Sequence, residues 1–177
     1  MSHDTASGQT SAIRPRTDDD IAEAATALVA VHATDGYPVE GVDDPEAWLT
    51  PPDLLGAWVA VLDQQVVGHV ALSRPHGEDA VRLYVEQSQE PETRVAVLAR
   101  LFVHPEARGH SLGEQLVREA TQHAYGQGLR LVGDVMTKDK AAIRLYERLG
   151  CQIIGSTMHT YGNGEEIPAV CFVAPGP

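Results

Sequence analysis

The sequence has little cysteine, little positive charge and no long apolar run, and each shortage excludes a class of protein. Its two cysteines, Cys151 and Cys171, are too few for the disulfide framework of a small secreted domain, so two reduced thiols are expected. No stretch approaches the ~18 consecutive apolar residues of a membrane span. The first residues lack the basic and apolar segments of a secretory signal, and we therefore expect a cytoplasmic protein.

Positive charge is scarce, since 13 Lys and Arg residues face 25 Asp and Glu residues, which gives a formal net charge of −12. A surface of this sign repels nucleic acids and anionic membranes, so neither is expected as a partner. The eight histidines show no metal-ligand spacing, and no metal is expected. Acidic loops over residues 35–40 and 43–46 would suit a cationic acceptor, but such charge also serves solubility alone, and both alternatives stay open.

The pattern of apolar residues predicts a single domain. Residues 1–11 are rich in Ser, Thr and Gly and are expected to be disordered, and residues 12–177 are long enough to bury one core. Residues 73–93 are polar and are predicted to form an irregular excursion near the substrate. The predicted strands lie near residues 13–16, 57–62, 66–72, 95–103, 129–135, 151–155 and 169–173, and the predicted helices near 17–31, 45–49, 111–125 and 142–149. This order describes an α/β (α+β) fold with one mixed sheet and helices on its faces.

The most informative segment covers residues 101–113. A predicted strand ends at Pro105, a glycine-containing loop follows, and a helix begins near Ser111. The first N–H groups of a helix lack intrahelical partners and favour an anion, so this loop is a candidate phosphate cradle, with Arg108 as an added cation. A structural alternative stays open, because Ser111 and Glu114 have the spacing of a capping box, which needs no ligand.

Two motifs in the sequence resemble those of a known family. The segment Arg108–Gly113 fits the pattern R/Q-x-x-G-x-G/A except at Ser111, which stands at the middle glycine, and the segment Ala142–Gly150 follows at the usual distance. With the element order, they resemble the GNAT superfamily of acetyl-CoA-dependent N-acetyltransferases over residues from about 12 to 174. The resemblance implies acetyl-CoA as co-substrate and a single mixed, mostly antiparallel central sheet of about seven strands flanked by helices.

The resemblance also implies which residues hold acetyl-CoA. Backbone groups of residues 101–103 would pair with the pantetheine arm, and amides of residues 109–113 would hold the pyrophosphate, as the chemistry of a helix N-terminus favours. Asp139 stands where the family often has an asparagine that contacts the cofactor, and an acid there keeps a helix cap but loses the amide N–H donors. The implied cofactor-binding residues are Leu101, Phe102, Val103, Arg108, Gly109, His110, Ser111, Leu112, Gly113 and Asp139.

Tyr146 is the implied catalytic residue, because a phenol near the sulfur of acetyl-CoA can donate a proton to the departing thiolate. The alternative is that Tyr146 is a core aromatic on the apolar face of its helix. Many family members have a glutamate base on the fourth strand, and Val97 stands at that position here. His104, Glu106 and Asp134 are near in sequence, but none is a better candidate than a surface or loop residue, and the general base stays unassigned.

The predicted function is transfer of an acetyl group from acetyl-CoA to a primary amine of an unidentified small molecule or peptide, by direct attack in a ternary complex. Neither cysteine lies in a nucleophile motif, so no covalent enzyme intermediate is expected. The alternative is a non-catalytic acyl-CoA-binding or regulatory domain, which the loss of the strand-four acid favours and the presence of Tyr146 opposes. A homodimer is the one protein partner left open.

Overall fold

A seven-stranded sheet forms the centre of the computed structural model, which describes residues 10–176. Its strands are β1 (Ser11–Pro15), β2 (Leu54–Leu62), β3 (Gln65–Ser73), β4 (Val95–Val103), β5 (Arg130–Met136), β6 (Gln152–Tyr161) and β7 (Glu165–Val173). The helices are α1 (Ile21–Asp35), α2 (Pro45–Leu49), α3 (Asp79–Ser88), α4 (Leu112–Gly126) and α5 (Lys140–Arg148). The strand order is β1-β2-β3-β4-β5-β7-β6, and only β4 and β5 pair in parallel. The predicted mixed, mostly antiparallel sheet is confirmed.

The N-terminal end of the fold differs slightly from the prediction. Residues 1–9 of the predicted disordered segment lie outside the described residues, and Ser11 already belongs to β1. A 3-10 turn precedes α1, and the carboxylate of Asp20 in this turn accepts hydrogen bonds from the backbone N–H of Thr17 at 2.7 Å and from Arg14 at 2.7 and 2.8 Å. This ion pair fixes the start of α1 against β1, and α1 itself is shifted four residues toward the C-terminus relative to the predicted helix.

The prediction of an irregular excursion over residues 73–93 is wrong, because residues 79–88 form helix α3. Three residues at helical spacing, Ala80, Val81 and Tyr84, are buried. They pack with Val95 and Val132 of the sheet in one hydrophobic cluster. The apolar face is narrow and the remaining residues are polar, so the periodicity is weak in the sequence. Residues 79–88 therefore form a helix that packs on one face of the sheet.

The last two strands are longer than predicted. They join at residues 162–164, the predicted glycine-containing turn, and pair back to Gln152 and Val173. Residues 156–161 of β6 lie at the sheet edge and are polar or half-exposed, so they lack the apolar alternation that marks a buried strand. Cys171 lies opposite Gly155, and both Cys151 and Cys171 are free, as expected.

Helices cover both faces of the sheet. On one face, α4 and α5 bury residues such as Leu116 and Tyr146 against Leu98 and Phe172. On the other face, α1 and α2 cover the side of the sheet that carries Val59, and α3 covers the β5 side. Within residues 10–176, no helix has both the length and the apolar character to cross a membrane.

Strands β4 and β5 form a cleft, because they pair over only three positions. The last of these pairs joins Val97 to Val132. Beyond it β5 pairs only with β7, while β4 stays paired with β3 on its other edge. A register shift in β4 opposite residues 69–71 of β3 bends the strand, and Arg100 within it has a φ of +57°. The two parallel strands therefore diverge towards their C-terminal ends.

Candidate active site

The loop of residues 104–111, the candidate phosphate cradle and below called the phosphate loop, lies at the open end of this cleft, between β4 and the 15-residue helix α4. Gly109 has a φ of +88°, and a Cβ at this position would meet no atom within 4 Å, so the backbone faces open space. Leu112 is fully buried and anchors the first turn of α4. Because the first N–H groups of a helix have no intrahelical acceptor, this end of α4 is suited to hold a phosphate.

Ser111 does not form the capping box that its spacing with Glu114 suggests. Its side chain makes no capping hydrogen bond, and Glu114 instead pairs with Arg118 at 2.9 Å. The reason is conformational: Ser111 has a left-handed backbone with φ +57°, whereas an N-cap side chain reaches its amide from an extended backbone. Ser111 thus adopts the conformation that the glycine of the motif would supply.

The free edge of β4 directs backbone groups into the cleft. The N–H of His104 donates to the carbonyl oxygen of Val67 in β3 at 2.6 Å. Since successive residues of a strand direct their N–H groups to opposite edges, Leu101 and Val103 turn theirs towards the cleft. Phe102 faces β3 with its backbone, and its side chain is buried against α1 and α2.

Arg108 is engaged in an ion pair across the mouth of the cleft. Its guanidinium contacts both carboxylate oxygens of Asp35, the last residue of α1. The ammonium of Lys138, which follows β5, donates to the carbonyl oxygen of the same residue at 3.2 Å. Asp35 therefore connects both sides of the cleft, and an anion at the phosphate loop would compete with it for Arg108.

Asp139 lies on the β5 side of the cleft, at the residue before α5. Its side chain makes no capping hydrogen bond, so the helix cap that we expected an acid to keep here is not formed. The carboxylate is instead 3.4 Å from the ammonium of Lys138. Asp139 thus presents no N–H donor of its own side chain to a ligand.

Tyr146 of α5 is buried, and its ring stacks on Phe172 with 4.2 Å between the ring centroids. Burial raises the pKa of its phenol, and the charges of Cys151 and Asp134 raise it further. Tyr146 also lines a small cavity between α5, β5 and the last hairpin. The ring is part of the core, as the structural alternative holds, and the phenol keeps its proton at neutral pH.

A group of charged side chains surrounds Asp134 on the other face of the cleft. The surrounding protein raises the pKa of the Asp134 carboxyl group, although the residue is exposed to solvent. Asp79, Glu78 and Glu40 raise this pKa further, and His159 lowers it. Sequence analysis missed this group, since its members come from the α1–α2 loop, α3, β5 and β6 and share no local motif.

Val97 is buried beside Val132, so it offers no proton-accepting group at the position where the resemblance led us to consider a glutamate base. His104 accepts a hydrogen bond from the N–H of Glu106 at 3.1 Å, and Glu106 is exposed in the turn after β4. Among the described residues, no group of three or more His, Cys, Asp or Glu side chains is arranged to hold a metal ion.

The residues of this cleft fall within a recognised sequence family. The model of the acetyltransferase (GNAT) family matches residues 22–151. The N-acetyltransferase MJ1207 of Methanocaldococcus jannaschii is 31% identical over 104 residues, which are 58% of this chain and 42% of that protein. The tRNA(Met) cytidine acetyltransferase TmcA of Nitrosococcus halophilus is 30% identical over 80 residues, 44% of this chain and 11% of that protein. The chain thus spans less than half the length of either relative.

The fold is also similar to the folds of solved structures. Arabidopsis thaliana NAA60, solved in complex with acetyl-CoA, superposes with a TM-score of 0.69 at 19% identity, over 93% of this chain and 97% of that one. At this identity, the similarity to NAA60 supports the fold alone. The family assignment depends on the family model, which covers most of the chain. The chain therefore belongs to the GNAT family of acetyltransferases.

Proposed function

We propose that residues 12–177 act as one N-acetyltransferase domain that transfers the acetyl group of acetyl-CoA to a primary amine, by direct attack in a ternary complex. The observation that carries the proposal is the cleft between β4 and β5, which has the start of α4 at its mouth and α5 beside it, since a Cβ on Gly113 would lie 3.6 Å from Leu145, the residue before Tyr146. Family membership supports the reaction class, and the complex of the similar NAA60 with acetyl-CoA supports the co-substrate.

The cleft fits acetyl-CoA at two places. Backbone groups of Leu101 and Val103 along the free edge of β4 suit the amides of a pantetheine arm, as an added strand would. The exposed N-terminal end of α4 suits a pyrophosphate, with Arg108 as a cation once it leaves Asp35. Bound there, acetyl-CoA would supply the acetyl thioester. The proposed contacts are Leu101, Val103, Arg108, Gly109, His110, Ser111, Leu112, Gly113 and, on the opposite side, Asp139. The predicted contact at Phe102 is not among them, because its backbone faces β3 and its side chain is buried.

Tyr146 is proposed to donate a proton to the departing sulfur. Its raised pKa means that the phenol holds its proton until a strong base, such as a thiolate, forms beside it. Direct transfer is supported by the cysteines, since burial raises the pKa of Cys151 and of Cys171 to about 11 and keeps both thiols protonated. Free thiols also suit a reducing cytoplasm, where we place the protein.

The acceptor is proposed to be a cationic primary amine of a small molecule or peptide, and not a nucleic acid or membrane lipid. The carboxylates around Asp134 would attract such an ammonium. Of the acidic loops in the sequence, Glu40 belongs to this group, whereas Asp35 pairs with Arg108 and Asp44 caps α2 by accepting from Ala47 N–H at 3.1 Å. A homodimer is compatible with the proposal and is not required by it.

A panel of amines tests the proposed reaction. Spermidine, lysine, an aminoglycoside and a peptide with a free N-terminus are incubated with acetyl-CoA, and free CoA and the acetylated product are measured by mass spectrometry. We expect one cationic amine to be acetylated, with kcat/KM falling as salt rises, because exposed charges are screened beyond about 10 Å at ~0.1 M ionic strength. A preferred acceptor that is neutral or anionic would contradict the proposed substrate class.

The second candidate function is a non-catalytic acyl-CoA-binding domain, which the apolar Val97 favours. Ligand-induced thermal stabilisation separates cofactor binding from transfer, because any ligand that binds only the folded state stabilises it, by about 2.7 kcal/mol at ~100 times its dissociation constant. We expect acetyl-CoA and dephospho-CoA to stabilise the protein and pantetheine to have little effect. Stabilisation without acetylation of any amine would favour the non-catalytic function.

A further inference from the structure

We infer that Asp134 is the general base that removes a proton from the acceptor ammonium. This inference deepens the proposed function and rests on it. It fills the role that Val97 cannot perform, with a residue from the neighbouring strand.

The position of Asp134 follows from the divergence of the two strands. Val132 forms the last parallel pair with Val97, and Asp134 is two residues further along β5. Residues two apart in a strand project to the same face, so Asp134 lies on the face that carries Val97 and α3. Val132 and Gly133 are buried while Asp134 is exposed, so the side chain meets solvent where the cleft begins to open.

Asp134 differs from the other acids of its group because its carboxylate has no hydrogen-bond partner among residues 10–176. Asp79 accepts from the hydroxyl of Thr157, and Glu40 accepts from the indole of Trp48 at 3.2 Å. Glu78 accepts from the backbone N–H of His76 at 2.6 Å. The lone pairs of Asp134 are therefore available to a ligand, whereas those of its neighbours are partly used.

The surroundings of Asp134 increase its affinity for a proton. Desolvation by the surrounding protein is the largest cause of its raised pKa, and the carboxylates of Asp79, Glu78 and Glu40 add to it, against His159 of β6. Asp134 in turn raises the pKa of Tyr146 of α5, of Tyr37 and of the neighbouring Cys171 of β7, so it lies within electrostatic range of the proposed acid. A base and an acid with separated pKa values are what amine acetylation requires.

The acceptor ammonium gives one proton to the carboxylate of Asp134, directly or through one water, and the amine lone pair forms the bond to the acetyl carbon. The C–S bond breaks, its electron pair stays on sulfur, and sulfur takes the proton of Tyr146. The second nitrogen proton returns to the Tyr146 oxygen through solvent, and Asp134 releases its proton to water. One ammonium and one thioester give one amide, one thiol and one proton.

The test is the pH dependence of kcat/KM for Asp134→Asn, with the fastest amine of the panel. With Asp134 present, we expect a plateau from about pH 7 up to the pKa of the acceptor amine. Without it, the enzyme must wait for free amine, whose fraction rises about tenfold per pH unit. We therefore expect a loss of about 10²-fold at about pH 7 that shrinks as pH rises. Glu78→Gln, which removes one neighbouring charge, should keep the plateau.

Two further measurements test the role of Asp134 without depending on the stability of Asp134→Asn. Carbon-13 NMR of the wild-type protein should give Asp134 a carboxyl pKa above the ordinary ~3.9, and Glu78→Gln should lower it. A wild-type profile that rises about tenfold per pH unit up to the pKa of the amine would overturn the assignment. An Asp134→Asn variant with the wild-type pH dependence of kcat/KM and normal acetyl-CoA binding would also overturn the assignment. Failure of the wild type to acetylate any amine would instead refute the proposed function.

Discussion

The imidazole of His69 donates a hydrogen bond from Nδ1 to the carbonyl oxygen of Arg100, with 2.9 Å between the two atoms. Because a carbonyl only accepts, Nδ1 carries the proton, and Nε2 then accepts from the guanidinium of Arg16 at 3.0 Å. His69 is completely buried in β3, and Arg100 has the left-handed backbone at the bend of β4. The buried imidazole therefore holds the bend that separates β4 from β5.

Replacing His69 by phenylalanine should destabilise this bend. The variant His69→Phe keeps a ring beside Phe102, on which His69 stacks at 5.4 Å, but it leaves the Arg100 carbonyl and the Arg16 guanidinium without this partner. We expect the free energy of unfolding in urea to fall by about 1–3 kcal/mol and acetyl-CoA to bind more weakly. The exposed His76 provides the control, since His76→Phe should change neither quantity. Unchanged stability in His69→Phe would contradict this role.

The same histidine predicts a loss of stability in mild acid. Burial lowers the pKa of His69 from 6.5 to about 4, so between these values the unfolded chain binds a proton that the folded protein does not. Stability should therefore fall as pH decreases from about 6.5 to about 4, by about 3 kcal/mol in all. Urea unfolding at a series of pH values measures the slope, and His69→Phe should lack this part of it. Equal slopes in the two proteins would exclude His69 as the cause.

A second loss of folding stability is expected at lower pH. The hydrogen bond from Arg14 lowers the pKa of Asp20 from 3.8 to about 2, so its ion pair stabilises the folded state at pH values above 3.8. This contribution should disappear as pH falls through about 2, because the folded carboxylate is then protonated. Asp20→Asn should unfold at the same urea concentration as the wild type once both are below the folded pKa, at about pH 1. If the two proteins still unfolded at different urea concentrations at that pH, Asp20 would stabilise the fold by its packing and not by its charge.

Tyr146→Phe should separate packing from catalysis. The phenylalanine ring can still stack on Phe172, so acetyl-CoA affinity and thermal stability should stay close to those of the wild type. The turnover number should fall by about 10²–10⁴-fold if expulsion of the thiolate limits the rate. Tyr125→Phe is the matched control, since the buried hydroxyl of Tyr125 has no hydrogen-bond partner among the described residues. A loss of less than about threefold in Tyr146→Phe would make the residue a packing residue.

Asp35→Asn should strengthen acetyl-CoA binding. The carboxylate of Asp35 holds Arg108, and an incoming pyrophosphate must replace it. An exposed ion pair contributes about 0.2–1 kcal/mol, so we expect up to about fivefold tighter binding by calorimetry. Asp43→Asn removes the same charge at an exposed position and should leave the affinity unchanged. The gain should vanish in the double variant Asp35→Asn with Arg108→Ala, and weaker binding in Asp35→Asn alone would refute the competition.

The strands, the helices other than α3, and the buried position of Tyr146 on α5 could be predicted from the sequence because each depends on local spacing. Helix α3 could not, since its few buried residues lie among polar ones. The failed capping box at Ser111 depends on a backbone angle that no residue pattern specifies. The proximity of Asp134 to Glu40 and His159 is created by the topology, which brings three distant segments to one end of the cleft.

The short pairing between β4 and β5 has a mechanical consequence. Among residues 10–176, three parallel residue pairs form the one strand pairing between β1–β4 and the β5–β7–β6 unit, so the sheet consists of two parts with a narrow connection. A co-substrate that bonds to the free edge of β4 would fill the gap as an extra strand and stiffen the joint. Amide hydrogens of Leu101 and Val103 would then exchange with deuterium more slowly, and the stiffness of the molecule would rise and fall with every catalytic cycle.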